Sequence, residues 1–269
     1  MAPFDPPAWR PAHHRFFVAA PLLPGTTRQV DALAHQLAVV LRLNAGDPLY
    51  LFNGDGREYL ATLQHLTPRQ ATVAVLAARP ALADPAFELT LFQCSLKQDK
   101  FDWVLQKGTE LGVTRFCPVV SARSIVRPAA ALQTKQSRWE TIVREATEQC
   151  GRTQPPPIAP AVDWPPPPLP PGTAAFVAWE EAGPATPRLG DAVAARLPSP
   201  APFALLVGPE GGLLTREIEE LLQAGWQPVS LGRRILRAET AAVAGLALMA
   251  ERLDSQQRSA KGCMENAPV

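Results

Sequence analysis

The sequence predicts an α/β protein in two parts: a small β-barrel over residues 1–80, then a parallel sheet alternating with helices over residues 86–254. Three observations predict it. β-like runs at Pro48–Phe52, Glu58–Leu66 and Gln70–Ala77 crowd around a single helical stretch in the first part. From Leu89 onward, strand-like and helix-like segments alternate. Between the two parts, Arg79–Ala86 carries two prolines and reads as a linker. A chain of 269 residues that is 46% hydrophobic can build two such cores.

Each element has its own warrant. Residues 1–14 are rich in Pro and Ala and are expected to be loose. Arg15–Ala20 reads as a strand, and Thr26–Leu43 as a helix because Val30, Leu33, Leu37, Val40 and Leu41 recur at helical spacing. Asn53-Gly54-Asp55-Gly56 marks a hairpin turn. Leu89–Cys94 is a strand; Asp99 is placed to cap the next helix and Gly112 to end it. Phe116–Val120 is a strand, and Lys135–Cys150 a helix with Trp139, Ile142, Val143 and Ala146 on one side. Pro155–Gly172 contains four consecutive prolines and is expected to be an irregular surface loop. Strands then follow at Ala174–Trp179, Phe203–Val207 and Pro228–Leu231, and helices at Leu189–Leu197, Thr215–Ala224 and Ala238–Leu253. The polar tail, residues 255–269, is expected to be disordered.

Composition narrows the function classes. A net charge of +1 gives no global basic field, so contact with nucleic acid must come from local clusters. The four cysteines, Cys94, Cys117, Cys150 and Cys263, form no C-x-x-C pair, which argues against zinc and dithiol chemistry and fits a reducing compartment. No apolar run approaches the length of a membrane span and no signal segment follows Met1, so a soluble cytoplasmic protein is expected, without membrane contact.

Two loops near the C-terminus point to a ligand. Gly208-Pro209-Glu210-Gly211-Gly212 leaves a buried strand; its glycines let backbone approach a ligand, and Pro209 stiffens the turn. An ordinary turn before a helix would read the same way. The second loop, Leu231-Gly232-Arg233-Arg234-Ile235-Leu236-Arg237, sets two apolar residues at its tip, suited either to the faces of an adenine ring or to plugging the core edge. The helix beyond it has a small-residue surface of Ala238, Ala241, Ala242, Ala244, Gly245 and Ala247, which permits close packing or simply reflects an Ala-rich chain. Dinucleotide, P-loop, metalloprotease and nucleophile-elbow motifs are absent. All four histidines lie at or before His65, which excludes a His-based triad or metal site in the second part. What remains is a neutral or cationic nucleoside held by backbone, and S-adenosyl-L-methionine fits that description.

These residues resemble the RsmE methyltransferases of small-subunit ribosomal RNA, members of the SPOUT superfamily. The resemblance runs through Arg15-Phe16-Phe17-Val18, Val40-Leu41-Arg42, Leu51 to Gly56, Lys107-Gly108-Thr109-Glu110-Leu111-Gly112-Val113, Arg123-Ser124 and Glu145 to Arg152. The Gly-Pro-Glu-Gly-Gly and Leu-Gly-x-x-Ile-Leu-Arg-x-Glu-Thr-Ala loops are its most specific parts. Gly108 departs from the bulkier residue often found there. The resemblance implies a PUA-like, RNA-binding barrel, a trefoil-knotted SPOUT domain and a homodimer with active sites at the subunit interface. It implies methylation of uracil N3 at a single uridine of 16S ribosomal RNA near the decoding centre, in the assembled small subunit. Ribose 2′-O-methylation and a non-catalytic RNA-binding assembly role are the alternatives.

By the resemblance, S-adenosyl-L-methionine is contacted by Trp179 and Glu180, by Val207, Gly208, Pro209, Glu210 and Gly212, and by Leu231, Gly232, Ile235, Leu236, Arg237 and Thr240. Arg237 is the catalytic candidate: removing the N3 proton puts negative charge on the uracil oxygens, which a guanidinium can stabilise. A phosphate contact, or an ion pair with Glu239 or Glu210, would be the plainer role. No residue stands out as general base; Glu210 is the candidate. Lys97, Lys100, Lys107, Arg123, Arg127 and Arg152 form the expected phosphate-binding rim, with Arg15 and Arg42 in the barrel. Arg138, Glu145, Gln149 and Arg152 are expected on one polar face.

Overall fold

The computed structural model describes residues 14–181, 183, 185–198 and 201–265. The expectations for residues 1–13 and 266–269 lie outside these described residues. Two compact units emerge: residues 1–84 with 147–155, and residues 85–146 with 156–269.

The first unit is a five-stranded sheet, β1 (Arg15–Phe17), β2 (Thr27–Gln29), β3 (Pro48–Phe52), β4 (Arg57–Leu66) and β5 (Ala71–Pro80), in the order β1-β3-β4-β5-β2. Only the β1–β3 pair is parallel. The β3–β4 turn forms as its residues dictate: Asn53 Oδ1 accepts from the Asp55 N–H at 3.2 Å, and Asp55 Oδ1 from the Arg57 N–H at 2.9 Å. Gly54 and Gly56 take positive φ values of 89° and 80° that other residues resist. Leu49, Leu51, Leu63, Val73 and Val75 turn inward under helix α1 (Asp31–His35) and the π-helical turn Gln36–Val40.

The expected helix Thr26–Leu43 is corrected at its start. Thr27–Gln29 pairs with β5 instead, and helical structure begins only at Asp31. The apolar spacing from Val30 onward is helical, but Thr-Arg-Gln carries no apolar signal, and a neighbouring strand decides its conformation. The end of β5 also takes in Arg79 and Pro80, the start of the expected linker.

In the second unit six strands run parallel in the order β11-β9-β10-β6-β7-β8. They are β6 (Leu89–Cys94), β7 (Arg115–Val120), β8 (Val162–Asp163), β9 (Ala174–Ala178), β10 (Phe203–Val207) and β11 (Gln227–Val229). Covered on both faces, β9 and β10 are continuously apolar, while β6 carries Thr90 and Gln93. Leu89, Leu91, Phe203 and Leu205 face one helical layer, while Phe92, Cys94, Ala204 and Leu206 face the other. The helices are α2 (Lys100–Glu110), α3 (Gln136–Cys150), α4 (Leu189–Ala194), α5 (Thr215–Gln223) and α6 (Ala238–Glu265).

Close packing explains two glycines. A Cβ on Gly108 would stand 2.7 Å from Phe116 Cε1, so the absence of a side chain lets α2 lie on β7. A Cβ on Gly245 would stand 2.8 Å from Leu205 Cδ2, where α6 crosses β10. Cys94 and Cys117 are buried as small apolar residues; burial pushes the Cys94 thiol up to about 12.

Several expectations are corrected here. Asp99 occupies the N-cap position of α2 but makes no side-chain cap; its carboxylate meets Arg138 at 3.4 Å instead. Val162–Asp163 lies within the expected irregular loop yet pairs with Val119–Val120, because β7 offers an open edge. Helix α6 continues to Glu265 rather than stopping at Leu253.

Candidate functional site

Three loops leave neighbouring strands of the second unit and enclose a cleft of about 430 Å³, inside the roughly 300–1,000 Å³ range of small-molecule sites. Trp179 and Glu180 follow β9, Gly208 to Gly212 follow β10, and Ser230 to Arg237 follow β11. Since β11, β9 and β10 are adjacent and parallel, their carboxyl ends deliver all three loops to one side.

The glycine loop is fitted to its neighbours. Gly212 has φ of 71°, and a Cβ there would run into Glu180 Oε1. A Cβ on Gly211 would sit 3.1 Å from Arg123 Cβ, and Arg123 Nη1 donates to Gly211 O at 3.0 Å. Beneath the loop, fully buried Gln93 directs its amide toward Val207 O at 3.4 Å. The loop after β11 turns on Gly232, with φ of 126°, and Ser230 Oγ accepts from its N–H at 3.2 Å. Ile235, at its tip, is 83% exposed.

Every residue expected to contact the cofactor lines the cleft except Thr240. Thr240 stands outside that lining: the first turn of α6 directs Ala238 and Ala241 to the cleft and leaves Thr240 exposed. Lys100, Ala178, Ser230, Arg233, Arg234, Ala238 and Ala241 also line the cleft, although they were not expected there. Most flank residues already singled out. Lys100 does not; it arrives because β6 is the neighbour of β10, an adjacency that no local pattern reveals.

Lys100 also departs from its expected role on the phosphate rim. Its Nζ lies 3.4 Å from Glu210 Oε1 and 3.4 Å from Glu239 Oε2. Burial raises the proton affinity of Glu210, but hydrogen bonds from the Lys97 N–H and its own, with the Lys100 charge, outweigh this and hold its carboxyl below the usual range. A carboxylate held ionised in this way is a poor general base. Its Oε2 is buried without a hydrogen-bond donor. An acceptor of this kind suits a ligand bearing positive charge, and with apolar Leu231, Ile235 and Leu236 it fits a cationic cofactor with an adenine, such as S-adenosyl-L-methionine.

The other basic residues divide sharply. Lys97, Arg123 and Arg127 are exposed on the second unit, and Arg42 on the first. Lys107 is paired with Glu110 at 2.8 Å. Arg15 and Arg152, expected as phosphate contacts, are engaged within the first unit: Arg15 pairs with Glu58 and donates to Gly151 O at 2.9 Å, and Arg152 is 4% exposed, 3.8 Å from Asp84 Oδ1. Arg152 therefore also leaves the polar face expected with Arg138, Glu145 and Gln149, all of which are exposed. No group of His, Cys, Asp and Glu suited to a metal ion occurs among the described residues. Among them, too, no helix is long and apolar enough to cross a membrane.

Known proteins share this arrangement. The family model for an RNA methyltransferase domain matches residues 83–250, and that for an RNA methyltransferase PUA domain matches residues 34–76. The ribosomal RNA small subunit methyltransferase E of Synechocystis sp. is 34% identical over 251 residues, covering 88% of this chain and 78% of the relative. That of Bacillus subtilis is 30% identical over 215 residues, covering 77% and 82%. The crystal structure of the Neisseria gonorrhoeae enzyme of the same name, bound to S-adenosyl methionine, superposes with a TM-score of 0.78 at 34% identity, covering 88% of this chain and 97% of that one.

Proposed function

The chain belongs to the ribosomal RNA small subunit methyltransferase E family, and on that premise we propose that it methylates N3 of one uridine of 16S ribosomal RNA. It is an S-adenosyl-L-methionine-dependent methyltransferase of small-subunit ribosomal RNA, with a PUA domain before an α/β SPOUT domain. The observation that carries the reading is the single cleft formed by the three loops after β9, β10 and β11. There Leu231, Ile235 and Leu236 would hold the adenine, and Gly208 to Gly212 the ribose and methionine parts. The cofactor supplies an electrophilic methyl group on a sulfonium.

Arg237 lines the cleft and is exposed, free to meet the acceptor base. Its guanidinium would stabilise the charge that builds on the uracil oxygens as the N3 proton leaves. Exposed Lys97, Arg123 and Arg127 would take RNA phosphates on this unit, and Arg42 on the PUA domain. With a net charge of +1, the enzyme is expected to prefer the preformed surface of the small subunit over free RNA.

A homodimer and a trefoil knot complete the proposal, in a cytoplasmic enzyme. Trp103 and Leu248, 42% and 43% exposed on packed helices α2 and α6, offer apolar surface for a second copy. The knot is supported by the chain's course: β11 lies at the sheet edge, yet α6 returns to pack on β10 and α2. Sedimentation at the mass of a single chain would refute the dimer.

The deciding experiment incubates small subunits from cells lacking this protein with the enzyme and S-adenosyl-L-methionine, then reads reverse-transcription stops. A methyl on N3 blocks the Watson–Crick edge, so a stop at one uridine is expected. Label incorporation without a stop would indicate a ribose position instead. No incorporation would favour a non-catalytic assembly role.

A further inference from the structure

We propose that Lys100 is a positioning residue of the methyl-transfer site: its ammonium ties the glycine loop to the first turn of α6 and thereby sets where Arg237 stands. The inference rests on the methyltransferase reading above.

Three separate segments meet at this one side chain. Lys100 opens α2, Glu210 lies in the loop after β10, and Glu239 is the second residue of α6. The ammonium stands 3.4 Å from a carboxylate oxygen of each glutamate. The Lys97 N–H adds a second tie, donating to Glu210 Oε1 at 3.0 Å. The three side chains are 29%, 21% and 15% exposed, so the attraction is less screened than at an open surface.

Arg237 immediately precedes α6, and its carbonyl accepts from the Ala241 N–H at 2.7 Å, so it moves with that first turn. Two carboxylates sharing one cation would repel each other if the cation were removed. The glycine loop and the start of α6 would then part. Ion pairs of this exposure contribute little to stability, whereas misplacing a catalytic group by about 1 Å can cost on the order of a hundredfold in rate. The tie should therefore show in catalysis far more than in folding.

The test compares wild type with K100M, K100R and E239Q. It uses steady-state methylation of small subunits, titration calorimetry with S-adenosyl-L-methionine, and thermal melts. K100M should lower kcat by about ten- to a hundredfold, raise KM for the cofactor less, and barely move Tm. K100R, which keeps the charge, should recover most of the lost kcat. E239Q removes only the α6 half of the tie and should lower kcat with little change in cofactor affinity, a result that stands even if K100M does not fold. Wild-type kcat in both K100M and E239Q would overturn the proposal, as would a loss in K100M that K100R does not recover. A wild-type protein that binds no cofactor would instead bring down the methyltransferase reading itself.

Discussion

Glu58 in the first unit and Glu210 in the second are both shielded carboxylates tied to basic side chains, but their surroundings invert the charge ratio. Glu58, 3% exposed, is met by two guanidiniums, those of Arg15 and Arg79. The surplus donors of Arg15 go to Gly151 O and Arg152 O at 2.9 and 3.0 Å. Glu210 instead shares one ammonium with Glu239, and its Oε2 is buried without a donor. The first cluster is closed in that each oxygen of Glu58 meets a guanidinium, and it belongs to the fold. The second stays open at Glu210 Oε2, on a residue that lines the cleft.

Mutations should separate the two clusters. The largest effect is expected from R237A at the open site, where kcat should fall by about 10²–10³-fold while cofactor affinity and Tm hold. Single-turnover methylation with parallel calorimetry checks this; an equal loss in affinity would make Arg237 a binding residue. At the closed site, E58A leaves two arginines facing each other and should cost about 3–5 kcal/mol of stability, measured by denaturant unfolding. Cofactor affinity of the folded protein should be unchanged, and a large loss would break the distinction drawn above.

The smallest effect sharpens the account of the first unit. Tyr59 Oη donates to Asp55 Oδ2 at 2.5 Å, and burial, with this bond and the Asp55 charge, pushes the phenol up to about 12. Y59F should cost about 1 kcal/mol. Because the folded value lies above the ordinary 10.0, the phenol's contribution is complete below pH 10 and is lost as pH rises toward 12. The alkaline limb of the wild-type stability curve should therefore be steeper than that of Y59F.

What could be read from the chain followed how local its cause was. The strands Leu89–Cys94 and Phe203–Val207 have the expected boundaries, because buried apolar runs end at turn residues. The loops that line the cleft are legible for the same reason: each is a short continuous stretch at a strand end. The rest depended on partners distant in sequence. Thr27–Gln29 became a strand because β5 was available, and Val162–Asp163 because β7 was. Residues 147–155 joined the first unit partly through Asp84, whose carboxylate accepts from the Thr153 N–H at 2.9 Å. Arg15 and Arg152 look like surface arginines by type, and only tertiary packing shows them committed inside. Lys100 was visible as a charge, but its place between two glutamates required the strand order.

Helix α6 has a practical consequence. Its 28 residues amount to a rod about 42 Å long, with Arg237 at one end and Glu265 at the other. A tag introduced at Glu265 would sit a rod's length from Arg237, which makes the far end of this helix the natural handle for immobilising the enzyme while it works.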